Sequence, residues 1–121
     1  MNTHISFRNM EHNPHIEDHA HAELAKLNKF LQPDDATVSI DLVMDVEGVD
    51  HRLFNVELRV HDKHGELVAH ELGRDIYLTI SHVTDKMVQE LSKAKGRRLD
   101  LRNKPTDENA PERKDKADFE K

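Results

Sequence analysis

Six basic side chains, Lys93, Lys95, Arg97, Arg98, Arg102 and Lys104, stand close together with Asp100 as the one acid among them. The chemistry such a run serves is phosphate binding: each cation displaces a counterion from a polyanion, and like-signed crowding is otherwise self-repelling. Lysine and arginine also gather at helix C-termini, where the dipole favours them. Taking 100° per residue, Lys86, Lys93 and Arg97 fall within about 40° of one another on one helical flank. Arg98 lies on the apolar line itself, so either the helix has run beyond the core there or the side chain snorkels. Upstream, His15, His19 and Lys26 share a flank, with Lys29 nearby.

Other chemistries find less to stand on. His15 and His19 are four apart, a spacing at which two imidazoles can share a metal, but two ligands without a further set do not make a site. His61 and His64 bracket a turn, where polar residues belong. Asp41, Asp45 and Glu57 fall on a wet strand face, where nothing raises a carboxyl pKa for general-acid work. Ser39, Ser81 and Ser92 have no local base or oxyanion hole. Gly48, Gly65, Gly73 and Gly96 are isolated, so there is no phosphate-cradling glycine loop. No cysteine is present. The sequence therefore predicts neither an enzyme nor a metal or other cofactor. Aromatic platforms are scarce: Tyr77 is read as core-flanking and Phe7, Phe30 and Phe54 as packing residues. That favours docking on a structured polyanion through shape and phosphates over reading of single-stranded bases.

The elements that must position the cations can be read from periodicity. His4 to Arg8 alternates as a short strand with Ile5 and Phe7 inward. Asn13-Pro14 is a helix start, and Ile16, Ala20, Leu24, Leu27 and Leu31 form the apolar stripe of a first helix, stopped by Pro33 with Asp34 and Asp35. In Thr37 to Val46 every second residue from Val38 is apolar, and Phe54, Val56, Leu58 and Val60 alternate in the same way. Glu47 to Asp50 is the turn between these two strands. After the turn His61 to Gly65, a shorter strand runs from Glu66 to Leu72, completing a meander. Asp75 caps a second helix whose stripe is Ile76, Ile80, Val83, Met87, Leu91 and Ala94. Gly96 weakens its end, which is read near Leu101. The expected class is α+β in the order β-α-β-β-β-α: a four-stranded sheet with two helices on one face. The other sheet face, with Ser39, Asp41, Asp45, Glu57 and Arg59, is left to solvent or a partner.

Composition sets the frame around this domain. The chain has 121 residues, 36% of them apolar and 35% charged, enough for one modest core with a heavily solvated exterior. We divide it into a folded domain, residues 1–102, and a polar, disordered tail, 103–121. A lack of cysteine fits the reducing cytoplasm, no apolar run is long enough to span a membrane, and Met1 to Arg8 does not resemble a secretory signal. The net charge of −6 argues against a generally basic nucleic-acid binder. Residues 1–74 carry 7 Lys/Arg against 14 Asp/Glu, whereas residues 75–104 carry 7 against 4. The molecule is electrically polarised along its sequence.

The stretch from Gly65 to Ile80, with Asp75-Ile76-Tyr77, followed by Asp85-Lys86 and the basic helix end, resembles the ribosome hibernation-promoting factors. These are also described as ribosome-associated inhibitors or sigma-54 modulation proteins. The similarity extends over residues 1 to about 104 through element order and spacing. It implies a dsRNA-binding-like fold that binds the 30S subunit and its 16S rRNA near the decoding channel, in 70S or 100S ribosomes. There it would block mRNA and tRNA binding and silence translation in idle, stationary-phase or stressed cells. Carried over position by position, the residues facing RNA are Lys86, Lys93, Lys95, Arg97 and Arg98, with Lys26 and Lys29 as weaker matches. The resemblance is to the short form, with no small-molecule substrate and no membrane contact. Asp41, Asp45, Glu47, Asp50 and Glu57 depart from the family's more basic strands, and Leu78-Thr79 and Ser81 replace the alanines and acid usual after the Asp-hydrophobic-Tyr element. The alternative is a protein-protein interaction module that uses the acidic sheet face without RNA contact.

Overall fold

A computed structural model of the chain describes residues 1–32, 34–47 and 52–103, with side chains up to Gly96. Its elements are β1 (Asn2–Arg8), α1 (Pro14–Leu24), a 3-10 segment (Ala25–Phe30), β2 (Ser39–Glu47), β3 (Leu53–Asp62), β4 (Gly65–Gly73) and α2 (Ile76–Asn103). The sheet order is β1-β2-β3-β4. β1 pairs parallel to β2, as a strand returned through a helix can, and β2, β3 and β4 pair antiparallel as a meander.

Alternation along the strands divides the sheet into two faces. Ile40, Leu42, Met44, Val56, Leu58, Val60 and Ala69 are buried on one of them. Against these pack Ile16, Ala20 and Leu24 of α1, Leu27 and Leu31 beyond it, and Ile76, Ile80, Val83, Met87 and Leu91 of α2. Each fully buried Leu, Ile or Met contributes roughly 1.5–3 kcal/mol by leaving water. Both helices thus cover one face, as the two apolar stripes require.

Helix starts follow from side-chain capping. Asn13 Oδ1 accepts the backbone N–H of His15 at 2.9 Å and of Ile16 at 3.4 Å, with Pro14 at the first helical position. Asp75 Oδ1 does the same for Tyr77 at 2.9 Å and Leu78 at 3.3 Å. Next to this second cap, β4 and α2 approach so closely that a Cβ on Gly73 would stand 2.2 Å from Thr79 Oγ1. Thr79 is buried, and its hydroxyl donates to the Asp75 carbonyl at 2.7 Å; buried Thr84 donates likewise to Ile80 at 2.8 Å. Threonine at 79 therefore hides its polar atom inside the helix.

The structure departs from the sequence expectations in several places. β1 begins at Asn2, with the Asn2 N–H donating to the Val38 carbonyl at 2.9 Å, so the strand is longer than His4–Arg8. The first helix tightens to 3-10 at Ala25; Leu27 and Leu31 stay buried, but by a local change of pitch. Pro33, expected to stop that helix, and residues 48–51 of the β2–β3 turn lie outside the described residues. Tyr77, expected to flank the core, is 41% exposed, and its ring packs edge-on against His19 with centroids 5.1 Å apart. The end of α2, read near Leu101, falls at Asn103. The tail from 104 lies outside the described residues.

Candidate nucleic-acid interface

The cations expected to bind phosphate divide between two flanks of the helical layer. Lys86 reaches over the edge of β4, its Nζ donating to the His70 carbonyl and to Glu71 Oε1, both at 2.9 Å. Glu71 lies on the helix-covered side of the sheet, opposite Val56 in register, so this ion pair ties α2 to the edge strand. Lys93, seven residues on and about 20° away around the helix, has Glu90 as its one ion-pair partner among the described residues, at 4.0 Å. Lys86 is therefore already partnered, and Lys93 is the freer cation of that flank.

Lys95 is on the other side of α2, about 180° from Lys86. There α2 passes the end of the 3-10 segment, and Lys95, Lys29 and Lys63 line one cleft of about 390 Å³. Lys29 places its ammonium 5.2 Å from the centroid of the Phe30 ring, close enough for a weak cation–π contact. Lys26, one turn earlier, forms an ion pair with Glu23 at 2.9 Å. That hydrogen bond raises its pKa above the ordinary lysine value, with the Asp85 charge adding to the effect. Lys26, Lys29, Asp85 and Val88 share a second, shallower depression between the helices.

The expected set is thus only partly assembled. Lys29 and Lys95 come together; Lys86 and Lys93 share a different flank; Lys26 is held by Glu23. Arg97 and Arg98 follow Lys95 on the α2 backbone, and their side chains lie outside the described residues. Lys63 was not singled out from sequence, where it reads only as part of a turn. Its placement depends on register: Ser39 pairs with His61 and Asp62 with Gly65, which brings the β3–β4 turn to the end of the sheet where β2 begins. No local pattern in the sequence carries that information.

The histidine pair reads differently in three dimensions. His19 Nε2 donates to the Tyr77 carbonyl at 3.1 Å and lies 3.4 Å from Ser81 Oγ, which docks α1 onto the start of α2. Among the described residues no group of three or more His, Cys, Asp or Glu is placed to hold a metal ion. No described helix is long and apolar enough to cross a membrane.

The family model described as "Sigma 54 modulation protein / S30EA ribosomal protein" matches residues 3–99. Among curated proteins none matches the chain. Of solved structures, a ribosomal subunit interface protein from Coxiella burnetii is similar to it with a TM-score of 0.65 at 18% identity, covering 79% of this chain and 99% of that one. The N-terminal domain of Protein Y from Thermus thermophilus is similar with a TM-score of 0.66 at 21% identity, covering 78% and 99%. At such identities the two structures speak for the fold.

Proposed function

The chain belongs to the sigma 54 modulation protein / S30EA ribosomal protein family, and we propose that it binds the small ribosomal subunit near the decoding channel, with its helical layer facing 16S rRNA. It blocks mRNA and tRNA by occupying their path, without catalysis, and so silences translation in idle cytoplasmic ribosomes. The observation that carries this reading is where the exposed cations collect. The open sheet face holds Asp41, Asp45, Glu47, Glu57 and Glu66 against only Arg8 and Arg59, whereas Lys26, Lys29, Lys86, Lys93 and Lys95 are exposed on the helical side, interleaved with Glu17, Asp18, Glu23, Asp85 and Glu90. A phosphate surface therefore meets more cations, and less repulsion, on the helical side than on the sheet. The names of the two similar structures, a ribosomal subunit interface protein and a Protein Y domain, agree with a ribosomal partner.

Co-sedimentation with purified 30S and 70S particles across a salt series tests the reading. Binding is expected at low salt and to fall steeply as salt rises. The double reversal Lys93→Glu, Lys95→Glu should weaken it by about tenfold or more, whereas Asp41→Lys should not weaken it at all. Absence from both particles at low salt overturns the proposal. Binding that survives reversal of Arg97 and Arg98 with little salt dependence assigns the contact to the acidic sheet face and a protein partner.

A further inference from the structure

Lys29, Lys63 and Lys95 come from three separate elements, the 3-10 segment, the β3–β4 turn and α2, and surround one cleft. Unlike Lys26, Lys86 and Lys93, each of which has a carboxylate within 4.0 Å, these three have no ion pair among the described residues. Two carboxylates, Asp35 and Asp62, stand in the same cleft, and each already braces a turn that frames it. Asp35 Oδ1 accepts the Thr37 N–H at 2.9 Å and the Thr37 hydroxyl at 2.7 Å; Asp62 Oδ1 accepts the His64 N–H at 2.8 Å. The Thr37 hydrogen bonds hold the Asp35 carboxyl below its ordinary pKa, so it stays an acceptor. Phe30 supplies an apolar wall.

A site with three ammonium groups, two fixed acceptors and an aromatic wall matches a ligand with those parts in reverse: an anion, hydroxyl donors and a flat apolar face. We infer that the cleft binds a nucleoside phosphate, with phosphate among Lys29, Lys63 and Lys95, ribose hydroxyls toward Asp35 and Asp62, and the base against Phe30. The volume of about 390 Å³ is near the lower end of small-molecule sites, roughly 300–1,000 Å³, which limits the occupant to a single nucleotide. That nucleotide is either free in solution or the phosphorylated end of an RNA strand. Lys29 and Lys95 also belong to the set proposed for ribosome docking, so Lys63, which does not, is the residue that can separate the two contacts.

Amide chemical shifts of the full chain, titrated separately with inorganic phosphate, GMP, AMP and a 5′-phosphorylated tetraribonucleotide, test it. Saturable shifts at Phe30, Lys63, His64 and Lys95 with a mononucleotide support a free-nucleotide site; shifts with the tetranucleotide alone support an RNA-end site. Lys63→Glu should weaken that binding by about tenfold or more, and Lys86→Glu, on the opposite flank, by less than about twofold. Inorganic phosphate binding as tightly as GMP overturns the nucleoside assignment. No shift at these amides up to about 10 mM of any probe overturns the site. Circular dichroism of Lys63→Glu guards against a folding effect, and its 30S co-sedimentation separates this site from the proposed function: loss of nucleotide binding with 30S binding retained supports two distinct contacts.

Discussion

The same four strands build two surfaces of opposite character. On β3, Val56, Leu58 and Val60 are buried under the helices, while Asn55, Glu57 and Arg59 alternate with them on the open side. The covered face is held mainly by burial. The open face is laced together by polar contacts: Arg59 donates to Glu57 at 2.5 Å and to Glu66 at 3.4 Å, Asn55 to Glu47 at 2.5 Å, Asn9 to Asp45 at 2.9 Å, and His70 meets Asn55. Strand periodicity decides which residue goes to which face, but it does not decide the sign of charge that collects there. The two sides differ in their cations: among the described residues the helical layer exposes Lys26, Lys29, Lys86, Lys93 and Lys95 between its own acids, and the open sheet face only Arg8 and Arg59.

If burial holds one face and exposed polar contacts the other, truncation should separate them most sharply. Leu58→Ala removes a fully buried side chain and is expected to cost about 2–5 kcal/mol in chemical denaturation. Val43→Ala, on the open face of the adjacent strand and only half-buried, should cost about 1 kcal/mol or less. Similar losses at both sites would mean that the open face is buried against something in solution, and would break the contrast.

A smaller effect tests how the covering layer is held in place. The open face needs no helix caps, whereas the covered one depends on two. Asp75→Ala removes the acceptor for two N–H groups at the start of α2, with an expected loss of about 1 kcal/mol and partial recovery in Asp75→Asn, since both residues cap well. An Asp75→Ala protein as stable as the parent would show that docking of α2, not its cap, fixes where the helix begins.

How much of this could be read from the chain depends on the range of the interaction involved. Alternation placed Val38, Ile40, Leu42 and Met44 in the core, and the caps at Asn13 and Asp75 were legible because each is settled within three residues. Pairing was not: nothing local puts β1 parallel beside β2. The change to 3-10 at Ala25 also escaped notice, since Leu24, Leu27 and Leu31 satisfy the helical stripe in either geometry. For the candidate interface, helical phasing sets Lys86 on the flank of Lys93, but it could not see Glu71 on the neighbouring strand taking up Lys86. It had no means of finding Lys63, whose place among Lys29 and Lys95 is fixed by strand register. Tyr77 was misplaced for a related reason, its partner His19 being 58 residues away in sequence.

The smallest expected effect compares the exposed charge contacts of the two sides. On the helical side Glu17 accepts from His12, whose ring in turn packs edge-on against Phe7 with centroids 5.0 Å apart, and its other oxygen lies 3.7 Å from His21 Nε2. The His12 hydrogen bond is the main reason the Glu17 carboxyl titrates below its ordinary value. A carboxyl with a depressed folded-state pKa stabilises the fold above the unfolded-state pKa, and that contribution disappears as pH falls through the folded value. The parent should therefore melt slightly above Glu17→Gln at pH 6, with the gap closing as pH drops below the ordinary carboxylate range. On the sheet side the Glu57 carboxyl has no such pairing with histidine, and its guanidinium partner, Arg59, has its own pKa raised chiefly by the Glu57 hydrogen bond. Being fully charged throughout, Arg59 adds no titration of its own there, so Arg59→Gln should respond to added salt more than to protons of the helical side's kind. A Glu17→Gln gap that stays constant between pH 6 and pH 3 would show that the His12 contact forms equally well to a neutral side chain, and that the helical layer's surface charge has no part in holding it down.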